Sequence, residues 1–452
     1  MTRSLAVAAA AGLLFIGGPV LASTAVPGPL KPPKPSQPPG ASAASRSPKP
    51  SQPPGTSASS QASKPSQPSR PLGASAASKP SKPPGASAAS QASAPSPPPI
   101  RHVFVIVLEN EGYSSTFGSP VEDPYLAETL PREGALLTQY YATGHVSNDN
   151  YIAMVSGQGP NPQNQSDCQF YDDFVGTGPL YDGQAVGTGC VYPASVETVG
   201  NQLTAKGLTW KGYMEDMGNV PSRESPVCGH PALNSRDNTQ SAVPGDGYVT
   251  RHDPFVYFHS IIDNQAYCDA HVVPLGTTSG AMPKGTPPGT TGLATDLEKA
   301  ATTPNLSFII PNVCDDGHDY PCTNQPSGPS ALADIDAFLD KWVPLITSSP
   351  AFKENGLLVV TFDEGSTSDG SSCCNEQPEP DTPLPGIVGI GGGRTGAVLL
   401  SPFIAPGTVS VTPYNHYSLL ASIEDFFGLP RLGYAATTSS TFSRDVFNRR
   451  AG

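Results

Sequence analysis

The sequence predicts an α/β fold in which helices flank a mainly parallel central β-sheet. Two continuous runs of apolar and β-branched residues, His102 to Leu108 and Leu357 to Thr361, have the pattern of strands buried on both faces. Segment 100–452 is long enough for one large domain of this class, with room for inserted loops.

The first hundred residues predict export. Residues 1–22 hold one Arg, an apolar run and small residues near position 22, which is typical of a signal peptide. Residues 23–99 are almost only Pro, Ser, Ala, Gly, Gln and Lys, with imperfect copies of KPSQPPGASAAS, and are predicted to be a disordered linker. We therefore expect a secreted or periplasmic protein without a transmembrane segment in the mature chain. The linker either contacts the cell envelope or is an inert spacer.

Charge separates the linker from the domain that follows. Residues 1–100 contain nine basic residues and no acidic ones, which leaves sixteen basic against 38 acidic residues, a formal charge of −22, in the rest. Such an acidic domain lacks the basic surface that phosphate contacts need, so we expect no nucleic-acid partner. It would also repel anionic substrates unless a bound cation reverses the local field.

Eight cysteines, all after the linker, predict disulfides in an exported chain. Neighbouring positions suggest the pairs Cys168–Cys190, Cys228–Cys268 and Cys314–Cys322. The adjacent Cys373 and Cys374 either pair with each other or are reactive exceptions. The Gly- and Pro-rich segment 156–249 is predicted to form loops that are stiffened by disulfides and that cover an active site.

Polar pairs follow both predicted buried strands directly: Glu109 and Asn110 after the first, Asp363 and Glu364 after the second. Ligands of open α/β sheets gather outside the carboxyl ends of strands, and adjacent carboxylates need a cation or a proton to offset their repulsion. The pattern is typical of a divalent metal site. The alternatives are solvated loop acids and, for Asn110, a turn residue.

A helix is predicted for Pro124 to Gly134, and a second one begins at or just after Ser147. The positive end of a helix dipole favours phosphate and lowers the cost of an alkoxide. Ser147 is by default an N-cap. Its position next to His145, together with two acid pairs suited to a metal, makes it a candidate nucleophile.

Three further histidines lie at suggestive places. His252 precedes DPFVYF and is expected at a cleft. His318 follows the predicted strand Ser307 to Ile310 in an acidic loop that could alternatively bind calcium. His416 precedes an amphipathic helix that ends at Gly428, and either positions that helix or contacts substrate.

Six motifs in this order resemble the phosphoesterase family of secreted acid phosphatases and phosphocholine-type phospholipases C, within the alkaline phosphatase superfamily. They are Glu109-Asn110, the HxSxxNY pattern from His145 to Tyr151, RHDPFVYF from Arg251, FIIPNVCDDGHD from Phe308, VVTFDEG from Val359 and NHYSLLASIEDFFGL from Asn415. They span most of residues 101–435. The resemblance implies an alkaline-phosphatase-like sheet.

The resemblance also implies roles for individual residues. One divalent metal ion of unknown identity would be held by Glu109, Asn110, Ser147, Asp363 and Glu364. His145, His252 and His318 would line the phosphate with Ser147 as nucleophile, and Asn150 and His416 would contact substrate.

The function expected from these features is an exported acid phosphatase. Metal-assisted attack by Ser147 would form a phosphoserine, and protonated histidines would favour an acidic optimum. Its partners would be phosphorylated small molecules or phospholipid head groups. The alternatives are a phospholipase C-type phosphodiesterase, which the short segment after the last motif disfavours, and a non-catalytic binding protein displayed on a stalk.

Overall fold

The fold is described from a computed structural model, which covers residues 98–118, 121–181, 183–374, 376–378 and 382–449. The predicted signal peptide, 1–22, and nearly all of the predicted linker, 23–99, lie outside the described residues. No helix in the described part of the chain is both long enough and apolar enough to cross a bilayer.

A central sheet of eight strands organises the domain, in the order β13-β2-β12-β11-β1-β10-β7-β9. The strands are β1 His102–Leu108, β2 Ala135–Leu137, β3 Tyr140–Tyr141, β4 Phe170–Tyr171, β5 Val175–Tyr181, β6 Gln184–Thr188, β7 Trp210–Met214, β8 Ser235–Arg236, β9 Val272–Pro274, β10 Leu306–Ile310, β11 Gly356–Phe362, β12 Ala397–Leu400, β13 Thr408–Ser410 and β14 Tyr414–Asn415. Within the eight-stranded sheet only β12 runs antiparallel to its neighbours, so the predicted α/β class with a mainly parallel sheet is confirmed.

Helices cover both faces of this sheet. They are α1 Tyr113–Thr116, α2 Leu130–Glu133, α3 Ser147–Ser156, α4 Val199–Ala205, α5 His259–Ile262, α6 Gln265–His271, α7 Leu293–Asp296, α8 Ala331–Ser348, α9 Pro350–Asn355 and α10 His416–Phe427. Short 3-10 turns occur at Asn164–Ser166, Thr250–His252, Pro254–Tyr257 and Gly433–Ala436, and the predicted helix after Pro124 is a π turn, Tyr125–Thr129, that leads into α2.

The alternation of β1 side chains explains why its sequence is apolar throughout. Val103, Val105 and Val107 join the apolar cluster that contains α3 and α10 residues, whereas Phe104 and Ile106 join the cluster on the opposite face, with α8. Successive strand residues point to opposite faces, so a strand covered on both sides favours apolar residues at every position. In β1 the acidic and amide side chains begin where the strand ends.

Strands β1 and β11 end at the same level. They pair in parallel from His102 opposite Gly356 to Leu108 opposite Phe362. The residues that follow, Glu109 and Asp363, are therefore neighbours at the carboxyl edge of the sheet, although 254 positions separate them along the chain.

All three disulfides predicted from neighbouring positions are present, and Cys373 pairs with Cys374. Segment 156–249 is not only loops: it contains the β5–β6 hairpin, α4 and strand β7 of the central sheet. Strand β7 has the Trp210 and Tyr213 side chains buried, which supplies the apolar pattern of a core strand.

Candidate active site

Four of the five predicted metal ligands lie together where β1 and β11 end. Asn110 donates its backbone N–H to Asp363 Oδ1 (3.0 Å) and its side-chain amide to Glu109 Oε2 (3.1 Å). Ser147 Oγ donates to the same Glu109 oxygen at 2.8 Å. Asn110 has a φ of 60°, a left-handed conformation that Asn tolerates, so it is a turn residue as well as a member of this group.

The carboxylates of this group are buried and repel one another. Burial, with the nearby Asp363 and Asp316 carboxylates, raises the pKa of Glu109 well above its usual range. Burial, with the neighbouring Glu364 carboxylate, raises the pKa of Asp363 to about 8. Asp363 Oδ2 has no hydrogen-bond partner within the described residues. A divalent cation would offset the repulsion between the carboxylates and would give Asp363 Oδ2 a partner. Such a cation prefers carboxylate, amide and hydroxyl oxygens as ligands, so the residues present fit a metal.

Helix α3 begins at Ser147, as predicted, but Ser147 is not its N-cap. The cap position is Val146, whose φ of 83° is rare for a β-branched residue. This backbone is held by a hydrogen bond from Val146 N–H to Glu364 Oε2 at 2.9 Å. The Ser147 hydroxyl therefore does not cap the helix and instead donates to Glu109.

Glu364 faces a different partner from Asp363. Its Oε2 accepts hydrogen bonds from the His145 ring and from Val146 N–H. Burial by itself lowers the pKa of His145, but the Glu364 contacts outweigh it, and the pKa is raised. His145 Nε2 also contacts the Asp369 carbonyl at 3.0 Å, and because a carbonyl only accepts, this nitrogen carries a proton. The place of Glu364 in a metal shell remains a prediction.

His252 and His318 each pair with an aspartate and approach Glu109. His252 Nδ1 contacts Asp316 Oδ2 at 3.1 Å and its Nε2 lies 3.2 Å from Glu109 Oε1, while His318 Nδ1 contacts Asp319 Oδ1 at 2.8 Å. Ligand atoms of Glu109, His252 and His318 lie within 4.8 Å of one another, so these three could also hold a metal ion. A carboxylate on Nδ1 is the usual way in which a ligating histidine is oriented.

His252 differs from the expectation of a charged proton donor. Burial, with Arg251 and His318 nearby, lowers the pKa of His252 well below its usual range. Arg251 Nη2 lies 3.1 Å from His318 Nε2. The hydrogen bond from His318 Nδ1 to Asp319 lowers the pKa of the Asp319 carboxyl.

Residues that our sequence analysis did not assign to the site complete it. Tyr151 OH donates to Glu109 Oε1 at 2.7 Å. Arg251 is buried and donates to Gln240 O as well as to His318, while its own carbonyl accepts from Asn148 at 3.0 Å. Two sequence features could have indicated these site residues. Arg251 is a basic residue directly before His252 in an acidic chain, and Tyr151 lies one helical turn after Ser147.

Asn150 and His416, predicted to contact substrate, are both fully buried and bonded to protein. Asn150 Oδ1 accepts from the backbone N–H of Thr143 and Gly144, and its amide donates to Gly144 O. His416 contacts Tyr140 OH at 3.1 Å and the Asp363 carbonyl at 2.6 Å. Substrate contact remains a prediction for both, but these hydrogen bonds favour positioning roles: Asn150 for the turn before Ser147, His416 for Asp363.

Replacing Asn150 distinguishes the two roles. Asn150→Ala is expected to lower the free energy of unfolding by about 2 kcal/mol, because buried backbone N–H groups of the turn lose their acceptor. If Asn150 positions Ser147, kcat falls while KM stays within about twofold. Urea unfolding and steady-state kinetics measure both quantities. An unchanged stability with a raised KM would instead assign Asn150 to substrate binding.

The chain is similar in sequence to known phosphatases. The model of the Phosphoesterase family matches residues 120–430. The chain is 26% identical over 334 residues to a phosphatidylinositol-3-phosphatase of Mycobacterium tuberculosis, covering 74% of this chain and 79% of that protein. It is 27% identical over 305 residues to a phosphate-repressible acid phosphatase of Penicillium chrysogenum, covering 67% of this chain.

A probable acid phosphatase of Kluyveromyces lactis is 27% identical over 341 residues, covering 74% of this chain. The chain spans 54% and 59% of the lengths of these two fungal relatives. Among solved structures, an alkaline phosphatase superfamily protein of Vibrio parahaemolyticus aligns with a TM-score of 0.41 and 15% identity, covering 77% of this chain and 73% of that one.

Proposed function

Because this chain belongs to the Phosphoesterase family and is a phosphoric ester hydrolase, we propose that it is an acid phosphatase that hydrolyses phosphate monoesters through a phosphoserine on Ser147. One observation carries the proposal. The Ser147 hydroxyl, at the start of a buried helix, hydrogen-bonds a carboxylate that belongs to a cluster suited to a divalent cation.

The protein's residues prepare Ser147 for attack. Glu109 accepts the hydrogen bond of the hydroxyl and is placed to take its proton as the oxygen attacks phosphorus. Tyr151 donates to the other Glu109 oxygen and fixes its orientation. The first turn of α3 presents the positive end of the helix dipole to the phosphoryl oxygens.

We propose that Glu109, Asn110, Ser147, Asp363 and Glu364 hold one divalent ion, with His252 and His318 as the nearest further ligands. When bound, such an ion lowers the pKa of a coordinated hydroxyl and offsets the negative charge that develops during phosphoryl transfer. Arg251 adds a fixed positive charge, which an anionic ester needs in a domain with 22 excess negative charges.

The leaving alkoxide needs a proton, and His318 is the best placed histidine to exchange protons with substrate. Its side chain is 28% exposed, against 3% for His145 and 1% for His252. In the proposed first step His318 acts in its charged form, and its Nε2 gives a proton to the alkoxide as the bond from phosphorus to the leaving oxygen breaks. In the second step water attacks the phosphoserine, and the Nε2 lone pair of the now neutral His318 accepts the proton that the water releases. The serine then recovers its own proton from Glu109.

Export also belongs to the proposal. Residues 1–22 would direct secretion or periplasmic export, 23–99 would be a flexible linker able to contact the cell envelope, and 100–452 would be the catalytic domain. The four disulfides support an oxidising compartment.

Substrate ranking tests the proposed reaction. The purified protein is expected to release phosphate from p-nitrophenyl phosphate at least about tenfold faster, in kcat/KM, than it releases nitrophenol from p-nitrophenyl phosphocholine. A monoester presents three unesterified oxygens to the metal and to Arg251, whereas the diester loses one of them. The opposite ranking would identify a phospholipase C-type phosphodiesterase, and turnover of neither ester would contradict the proposed function.

A further inference from the structure

An apolar turn, residues 384–388, lies exposed beside the active site. Leu384 is 49% exposed, Ile387 52% and Val388 57%. Elsewhere in the described part of the chain exposed large apolar residues occur singly or, at Val409 and Val411, as a pair, whereas here three fall within five residues. Clustered exposed apolar side chains mark an interaction surface, whereas single ones need no explanation.

Hydrogen bonds tie this turn to the residues that precede Ser147. The Pro385 carbonyl accepts from His145 N–H at 3.2 Å and from Gln165 Nε2 at 2.7 Å. A few residues further on, Gly392 N–H donates to the Ala142 carbonyl at 3.1 Å. The turn is therefore fixed to His145, which precedes the proposed nucleophile by two positions in the sequence.

The shape of the turn presents its side chains outward. Ile387 N–H bonds back to Leu384 O at 2.9 Å, and Ile387 itself has a φ of 58°. A left-handed conformation is unfavourable for a β-branched residue, so backbone preference does not explain why an isoleucine occupies this position. An Asn or Gly would make this turn more easily, yet the position carries an exposed aliphatic side chain.

The chemistry of the turn identifies its partner. No charged residue occurs from Thr382 to Gly393, in a domain where acidic residues greatly exceed basic ones. Three side chains on a convex tip offer far less than the roughly 1,200 Å² that a stable protein interface buries. Aliphatic side chains without charge do suit the acyl region of a lipid surface, where small apolar elements insert.

We propose that the 384–388 turn inserts into a lipid surface and brings the active site to phosphate monoesters of membrane lipids. The inference rests on the proposed phosphatase function and extends it to a substrate class, phosphorylated lipids presented in a bilayer. The overall negative charge predicts a preference for bilayers whose bulk lipid is zwitterionic.

The test compares one head group in two physical states. The substrates are long-chain phosphatidylinositol 3-phosphate at low density in phosphatidylcholine vesicles, and its short-chain, monomeric analogue. The variant Ile387→Asn/Val388→Ser removes two apolar side chains, and Asn suits the left-handed backbone. We expect at least about a tenfold loss of kcat/KM on vesicles and of binding in vesicle co-sedimentation, with less than about a twofold change on the monomeric analogue and on p-nitrophenyl phosphate.

A matched control is Val409→Ser on the edge strand β13, where the valine is 61% exposed. It should leave both vesicle binding and vesicle turnover unchanged. Equal losses in the control variant, or undiminished sedimentation of the turn variant, would overturn the inference. Turnover of p-nitrophenyl phosphate without any vesicle binding would also overturn it while leaving the phosphatase proposal intact, and co-sedimentation reads out the turn even if no ester is hydrolysed.

Discussion

Ser147→Ala is expected to lower kcat by at least about a thousandfold, because it removes the oxygen that attacks phosphorus. The fold should survive. The Ser147 hydroxyl donates to Glu109 and also lowers the pKa of the nearby Asp363 carboxyl. Because Glu109 keeps its bond from Tyr151, the expected loss of stability is about 1 kcal/mol. Steady-state turnover of p-nitrophenyl phosphate and thermal unfolding measure the two effects.

A second serine of the same helix supplies the control. Ser156 is also buried, and its hydroxyl donates to the Ile152 carbonyl at 2.7 Å, away from the carboxylates. Ser156→Ala should therefore cost a similar amount of stability and leave turnover within about twofold. Acid quenching during turnover of a labelled ester should trap label on the wild type and on Ser156→Ala, but not on Ser147→Ala. Wild-type turnover by Ser147→Ala would remove Ser147 from the mechanism.

The strand ends were predictable because burial on both faces excludes polar residues. Six consecutive apolar positions of β1, Val103 to Leu108, show where the strand stops, and Glu109 marks that point. The rule that parallel strands end at one edge then placed Asp363 beside it, and the observed register agrees. A pattern within a few residues was sufficient to predict both strand ends, because the position of a strand end does not depend on the path of the loops.

Side-chain direction after the strands was harder to predict. Consecutive residues of extended chain point to opposite sides, so Asp363 turns towards Asn110 and Glu364 towards His145. The family resemblance implies a single metal shell for both, and that shell remains a prediction. The partners Arg251 and Asp316 come from distant loops whose paths depend on tertiary packing, and charged residues are too common in such an acidic loop for sequence to single out one.

Asp363→Asn should separate metal binding from the cost of burying charge. In metal-free protein the Asp363 pKa is raised to about 8, by burial first and Glu364 second, whereas a free Asp titrates near 4. The folded state therefore holds more protons than the unfolded state between about pH 4 and pH 8, so this group makes metal-free stability fall as pH rises through that window. A neutral Asn removes the penalty, and we expect metal-free Asp363→Asn to be more stable at pH 7 by up to about 4 kcal/mol.

When metal is added, the wild type should become more stable than Asp363→Asn. Metal ions such as Mg²⁺, Ca²⁺, Mn²⁺ or Zn²⁺, tested singly, should raise the Tm of the wild type but not that of Asp363→Asn, and turnover of the variant should fall at least about a hundredfold. Metal analysis of the purified protein and chelation identify the ion.

Glu424→Gln is the control for Asp363→Asn, because burial raises the pKa of Glu424 to about 8 as well, yet this residue lies on α10 and contacts Leu432 N–H rather than the site. It should stabilise metal-free protein while keeping both turnover and the metal-induced rise in Tm, since only the cost of a buried charge has changed. Full activity of chelated, metal-free wild type, or an undiminished metal response in Asp363→Asn, would show that protons rather than a cation neutralise these carboxylates during turnover.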